Sequence, residues 1–146
     1  MAYREEWMHE AMREAMRAPD TGDIPVGCVI VKEGRIIAAG HNLREAKQNA
    51  LCHAEIVAIG HACEALGSWR LSDCDLYVTL EPCPMCAGAI AQARVKTLYF
   101  GAFDPIGGAF CQGMYDIVEK QTAIFGGICA QECQKLLSGF FRKLRS

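Results

Sequence analysis

Asp75-Leu76-Tyr77-Val78-Thr79-Leu80, then Glu81-Pro82-Cys83-Pro84-Met85-Cys86-Ala87-Gly88-Ala89-Ile90-Ala91-Gln92-Ala93, then Val95-Lys96-Thr97-Leu98-Tyr99-Phe100 is the stretch that decides the fold. The first and last of these runs are apolar and rich in aromatic and β-branched residues, and read as strands over 75–80 and 95–100. Residues 83–93 between them are small and helix-compatible, with a proline just ahead of the helix start. Strand, helix and strand in quick succession belong to a layered α/β domain.

The flanks extend that pattern. Tyr3, Trp7, Met8, Ala11, Met12, Ala15 and Met16 recur at helical spacing and predict an amphipathic opening helix, ended by Pro19-Asp20-Thr21-Gly22. This methionine stripe is read as core packing. Residues 26–31 and 36–39 are short apolar runs joined by the turn Lys32-Glu33-Gly34-Arg35, a hairpin. Residues 42–52 read as a polar loop and 54–66 as a helix stopping at Gly67. After a Gly-rich loop over 101–113 come a helical stretch over 115–119, a short strand near 123–126 and a last helix over about 129–144. Its apolar positions include Ile128, Leu136, Leu137, Phe140 and Phe141. A hairpin followed by alternating helices and strands predicts one mixed sheet with helices on both faces, in a single domain over 1–146. There is no internal repeat, low-complexity segment or linker.

Composition narrows the function classes. The 146 residues carry 15 Lys and Arg against 17 Asp and Glu, a net charge of −2, so any nucleic-acid binding must rest on a local patch. The nine cysteines are odd in number and unevenly spaced, which predicts a reduced, cytoplasmic protein without a disulfide framework. Glu5, Glu6 and Glu10 in the first helix argue against a signal peptide. No apolar run reaches the roughly 18 residues of a membrane helix.

Chemistry concentrates in four residues. His53, Cys83 and Cys86 offer one imidazole and two thiolates, ligands that Zn²⁺ prefers. Three protein ligands leave one coordination position open, the mark of a catalytic zinc. Glu55, two residues after His53, is placed to move protons beside that position. Both halves of the ligand set fall at expected helix starts, where free N–H groups and the helix dipole lower thiolate pKa. His-x-Glu followed by Pro-Cys-x-x-Cys is the signature of zinc deaminases acting on nucleobases. It predicts hydrolytic deamination of an aromatic amidine carbon, with Glu55 as the proton shuttle. The competing reading is a structural zinc closed by a fourth ligand, and Cys52 is the only close candidate.

The remaining cysteines and histidines carry blander readings. Cys28, Cys63 and Cys74 are expected to pack as small core hydrophobes. Cys129 and Cys133 lie one helical turn apart, and without a nearby histidine packing accounts for them best. Cys111 is a candidate exposed thiol. His9, His41 and His61 lack ligand spacing. Gly107-Gly108 lacks the Lys-Ser/Thr of a phosphate cradle, and Asp104 either orients or caps its loop.

With these residues in place, Gly22-Asp23-Ile24-Pro25-Val26-Gly27, His53-Ala54-Glu55-Ile56, the block 76–90 and Phe140-Phe141-Arg142 together resemble bacterial TadA-type tRNA adenosine deaminases of the cytidine-deaminase-like superfamily. The resemblance spans nearly the whole chain. It implies an α/β fold of three layers, α/β/α, around a central mixed five-stranded sheet. It also implies conversion of adenosine to inosine at the tRNA wobble position, one zinc per subunit, and a homodimer. Carried over by position, it makes His53, Cys83 and Cys86 the metal ligands and Glu55 the catalytic acid–base. Asn42, Ile24, Ala54, Leu80 and Glu81 would surround a flipped base, and Phe140 and Arg142 would lie beside neighbouring nucleotides. Arg44 and Lys47, with Lys135, Arg142, Lys143 and Arg145, would supply a local phosphate-binding surface. The run Ala87-Gly88-Ala89-Ile90-Ala91 permits close helix packing, including across a dimer.

The chain departs from such relatives at Ala50-Leu51-Cys52, where a Pro-Thr-Ala-like lead is usual. Phe103 and Ile106 stand where basic residues often flank the aspartate of the Gly-rich loop. Three function classes follow: a tRNA adenosine deaminase, a deaminase of free guanine, cytosine, adenine or a nucleoside, and a zinc-stabilised RNA-binding or interaction module. The first leads, the lost loop charges add slight weight to the second, and Glu55 opposes the third.

Overall fold

A computed structural model describes residues 3–118 and 120–145. The helices are α1 (Glu5–Ala15), α2 (Arg44–Lys47), α3 (Ala54–Leu66), α4 (Pro84–Gln92) and α5 (Ala130–Arg145). The strands are β1 (Gly27–Lys32), β2 (Arg35–His41), β3 (Cys74–Leu80), β4 (Thr97–Ala102) and β5 (Ala123–Phe125). They form one five-stranded sheet in the order β2-β1-β3-β4-β5. The β1–β2 and β1–β3 pairs are antiparallel, whereas β3–β4 and β4–β5 are parallel. The sheet is mixed and the fold is α/β, as expected.

Strand residues divide by parity between two cores. Cys28, Ile30, Leu76, Val78, Leu98 and Phe100 face one side, where Ala54, Ala58 and Ala62 of α3 and Ala87 and Ile90 of α4 pack on them. Val29, Val31, Tyr77 and Tyr99 face the other, under Met8 and Ala11 of α1 and Cys133 of α5. Burial on both faces explains why β1 and β4 read as continuous apolar runs rather than alternating ones. Alanines on α3 let its backbone lie close to the sheet. Gly40 takes this furthest: a Cβ there would meet Ala58 N at 2.8 Å and Ala54 O at 2.9 Å. This close approach fixes the first turn of α3, which carries His53 and Glu55.

Several boundaries move. The polar loop 42–52 contains α2, a single turn whose first N–H groups are held by Asp23. The Pro19 segment forms a 3-10 turn over Ala18–Thr21, which Gly22 ends in the left-handed region at φ 79°. Of the helical stretch expected over 115–119, Tyr115–Ile117 is a 3-10 turn and Glu119 lies outside the described residues. No described helix is long and apolar enough to cross a membrane, and all nine cysteines are free.

Candidate active site and metal centre

The site lies past the carboxyl end of β3, where open α/β sheets commonly hold ligands. His53 is the N-cap of α3 and Cys83 the N-cap of α4, with Pro84 in the first helical turn. Proline suits that place because its missing N–H is one the helix leaves unpaired anyway. Cys86, in the same turn, turns its sulfur toward that of Cys83. His53 Nδ1 stands 3.6 Å from Cys83 Sγ and 3.5 Å from Cys86 Sγ. A tetrahedral zinc with bonds of about 2.3 Å to sulfur and 2.0–2.1 Å to nitrogen gives sulfur–nitrogen edges of about 3.5 Å. The three donors therefore fit that ion. Among the described residues no fourth His, Cys, Asp or Glu atom completes the cluster, and Cys52 stands outside it.

Electrostatics agree with metal binding. Cys83 is held down at about 4, mainly because the Cys86 thiol hydrogen-bonds its sulfur, with His53 and the Cys86 backbone N–H adding to the effect against desolvation. Cys86 is pushed far up for the reciprocal reason, since its proton is the one donated, and burial adds to it. His53 is raised by its hydrogen bond to Cys83. The two sulfurs and the ring compete with one another for protons. A dication takes the place of those protons.

Glu55 is 4% exposed, and burial pushes its carboxyl up to about 7, with the Cys83 charge adding to the rise and a hydrogen bond from Cys86 opposing it. A buried carboxyl poised near neutrality beside a metal cluster suits proton transfer in both directions.

The neighbouring side chains are organised rather than free. Asn42 Oδ1 accepts from the Ala54 N–H at 2.9 Å, and its Nδ2 donates to the Ile24 carbonyl at 3.0 Å. It ties the open end of α3 to the segment before β1, and keeps one N–H for a ligand. Ile24 is 37% exposed beside a cleft lined by Asp23, Asn42 and Arg44. The positive charge of Arg44 acts on His53, which puts a cation at the edge of the cluster.

Glu81 anchors the Gly-rich loop beside the site. It is 2% exposed, and its carboxylate accepts N–H bonds from Asp104 at 2.9 Å, Phe110 at 2.9 Å and Cys111 at 2.8 Å, plus the Cys111 thiol. Ala109 N–H reaches Pro82 O at 2.9 Å, so the Gly-rich loop is clamped onto the segment bearing the cysteines. Gly108 permits this, since a Cβ there would sit 2.2 Å from the Glu81 carboxyl carbon. Glu81→Ala is expected to strand these buried donors and lower stability by about 3 kcal/mol, measured by urea unfolding. Leu80, half-buried, ends β3 just before it.

Asp23 was not singled out by its sequence context. It is 2% exposed and accepts from Glu45 N at 2.8 Å, Ala46 N at 3.2 Å and the Thr21 hydroxyl at 2.8 Å. Burial raises its carboxyl, but these hydrogen bonds outweigh burial and the net shift is downward. A group with a lowered folded-state pKa stabilises above its unfolded value and loses that as pH falls through the folded value. Asp23→Asn is therefore expected to destabilise at pH 7, with the gap to wild type closing below about pH 4 in unfolding titrations.

Phe140 and Arg142 lie in the last turns of α5, where Phe140 packs edge-on against Phe141 at 5.4 Å and Arg142 is exposed. No hydrogen bond links either to the cluster among the described residues.

Residues 1–102 match the cytidine and deoxycytidylate deaminase zinc-binding region. The chain belongs to that family. Zn²⁺ is its cofactor, and His53, Cys83 and Cys86 form the site that fits it. Within the family, the chain is 48% identical to the tRNA-specific adenosine deaminase of Bacillus subtilis strain 168, over 99% of this chain and 92% of that one. A chain solved in a study of A-to-I editing by tRNA:A34 deaminases superposes with a TM-score of 0.86 at 40% identity, over 92% of this chain and 100% of that one. A guanine deaminase from Bacillus subtilis is 42% identical with a TM-score of 0.66, over 70% of this chain and 66% of that one. This deaminase sits among the tRNA-specific adenosine deaminases by its full-length identity.

Proposed function

We propose that this deaminase converts adenosine to inosine at the wobble position of tRNA anticodons. The observation that carries the reading is the 48% identity to a tRNA-specific adenosine deaminase, sustained over 99% of the chain. His53, Cys83 and Cys86 hold the zinc, which when bound acidifies water and polarises the reacting centre. Glu55 takes a proton from the attacking water and delivers it to the ring nitrogen next to the amine-bearing carbon. It then helps protonate the amine, so that water and adenine become hypoxanthine and ammonia.

The remaining N–H of Asn42 and the apolar surfaces of Ile24, Ala54 and Leu80 receive the base. Glu81 contributes by position, holding the Gly-rich loop against the site. Phe140 and Arg142 lie against flanking nucleotides, while Arg44 and Lys47 meet phosphates. An anticodon loop lowers the unstacking cost of a few kcal/mol that base extrusion carries in a duplex. The protein acts in the cytoplasm as a homodimer. The small residues Gly88 and Ala89 on α4 are open enough for a second copy to approach, since a Cβ at Gly88 meets nothing within 4 Å.

A second reading, deamination of free guanine, is favoured by the 42% identity to a guanine deaminase and by apolar Phe103 and Ile106 in the Gly-rich loop. Ammonia release from zinc-replete protein separates the two. An anticodon stem-loop containing the wobble adenosine is expected to turn over, and free guanine, cytosine and adenine are not. Brisk turnover of guanine with an untouched stem-loop at low salt reverses the assignment.

A further inference from the structure

We propose that Glu5, His9 and Cys129, with Glu132 beside His9, form a second site for a zinc-class divalent metal, at the seam between α1 and α5 and apart from the deaminase centre. Cys129 and His9 are 120 residues apart in sequence, yet His9 Nε2 lies 3.9 Å from Cys129 Sγ. The same nitrogen is 3.6 Å from Glu132 Oε2. Donor atoms of Glu5, His9 and Cys129 all fall within 4.8 Å of one another, as do those of His53, Cys83 and Cys86.

The donors come from α1 and from the start of α5. Glu5 and His9 stand four apart on α1, while Cys129 and Glu132 stand three apart at the start of α5. The set contains a thiol and an imidazole, which distinguishes it from the acidic clusters common on surfaces. Tetrahedral zinc bonded to these atoms has sulfur–nitrogen edges of about 3.5 Å and nitrogen–oxygen edges of about 3.3 Å. The observed 3.9 and 3.6 Å separations need closing by only a few tenths of an ångström. These side chains are partly exposed, so they have freedom to move.

Two further details suit the site. Cys129 adopts φ 54°, a left-handed conformation rare for a residue other than glycine, asparagine or aspartate. Glycine would relieve it, whereas cysteine brings a thiol there. Glu5 and Glu132 both lie close enough for their charges to act on the Cys129 thiol. Metal binding displaces the Cys129 thiol proton to solvent and brings a dication to two carboxylates.

The test is zinc content after loading chelator-stripped full-length protein with zinc alone and removing excess by gel filtration. His9→Ala and Cys129→Gly are each expected to hold one zinc per chain fewer than wild type. Glycine suits the φ of Cys129, so the second variant keeps the start of α5, and neither change touches the deaminase centre, whose kcat is expected to stay unchanged. Because the readout is a difference in metal count, it holds whatever the substrate of the deaminase proves to be. Equal zinc in wild type and both variants overturns the site and leaves a His9–Glu132 contact beside a thiol.

Discussion

Glutamine at position 55 leaves the metal content unchanged and lowers kcat by about 10²–10⁴-fold, the range contributed by a positioned acid–base group. Glu55 is outside the ligand set, so all three metal donors stay intact in the variant. The amide fills the same buried space yet neither takes nor returns a proton. Burial is the main cause that lifts the carboxyl to about 7, and a dication at the cluster draws it down by favouring the charged form. The acid limb of the wild-type rate profile therefore falls below pH 7, and Glu55→Gln removes that limb along with most of the rate. Single-turnover measurements across pH on protein of matched zinc content provide the check. Near-wild-type turnover by the folded, zinc-loaded variant removes Glu55 from the mechanism.

Loss of a ligand has a larger effect. Cys83→Ala removes one of three protein donors, and activity is expected to drop to background because both the metal and the geometry it imposes are lost. Structural zinc binds its ligands with about 10–16 kcal/mol in total, so one donor accounts for about 4 kcal/mol, or roughly a thousandfold in affinity. Cys83 is half-buried at the helix start, and the core residues of α4 lie beyond it at Ala87 and Ile90, so the fold itself survives. Zinc retained at the cluster after dialysis is the contrary result, and it would mean that another donor, with Cys52 the nearest by sequence, had entered. Zinc binding to the native state alone raises the melting temperature of wild type in proportion to log concentration, and Cys83→Ala flattens that dependence at this site.

Much of the architecture was legible because it is written locally. The runs around Val29, Val78 and Tyr99 become strands buried on both faces, and Gly67 ends α3 in the left-handed region at φ 61°. The metal cluster was legible because Cys83 and Cys86 share one helical turn and His53 opens another. What escaped depends on distant partners. The capping of α2 rests on Asp23, 22 residues before Glu45. Glu81 reads as one acid beside a proline, and its role emerges only when Asp104, Phe110 and Cys111 fold back onto it. Asn42 reads as a ligand for a base, whereas two of its bonds brace Ile24 and Ala54. Cys129 lacked a histidine in sequence, and His9 reaches it from the opposite end of the chain.

Oxygen-18 water tests the central chemistry most directly. Zinc-loaded protein and an anticodon stem-loop react in labelled water, and the nucleosides are released and weighed by mass spectrometry. Hydrolytic deamination by this site yields inosine at the wobble position with one heavy oxygen on the base, in equal amount to the ammonia released. A wobble adenosine that persists unchanged, or inosine without the label, contradicts the account.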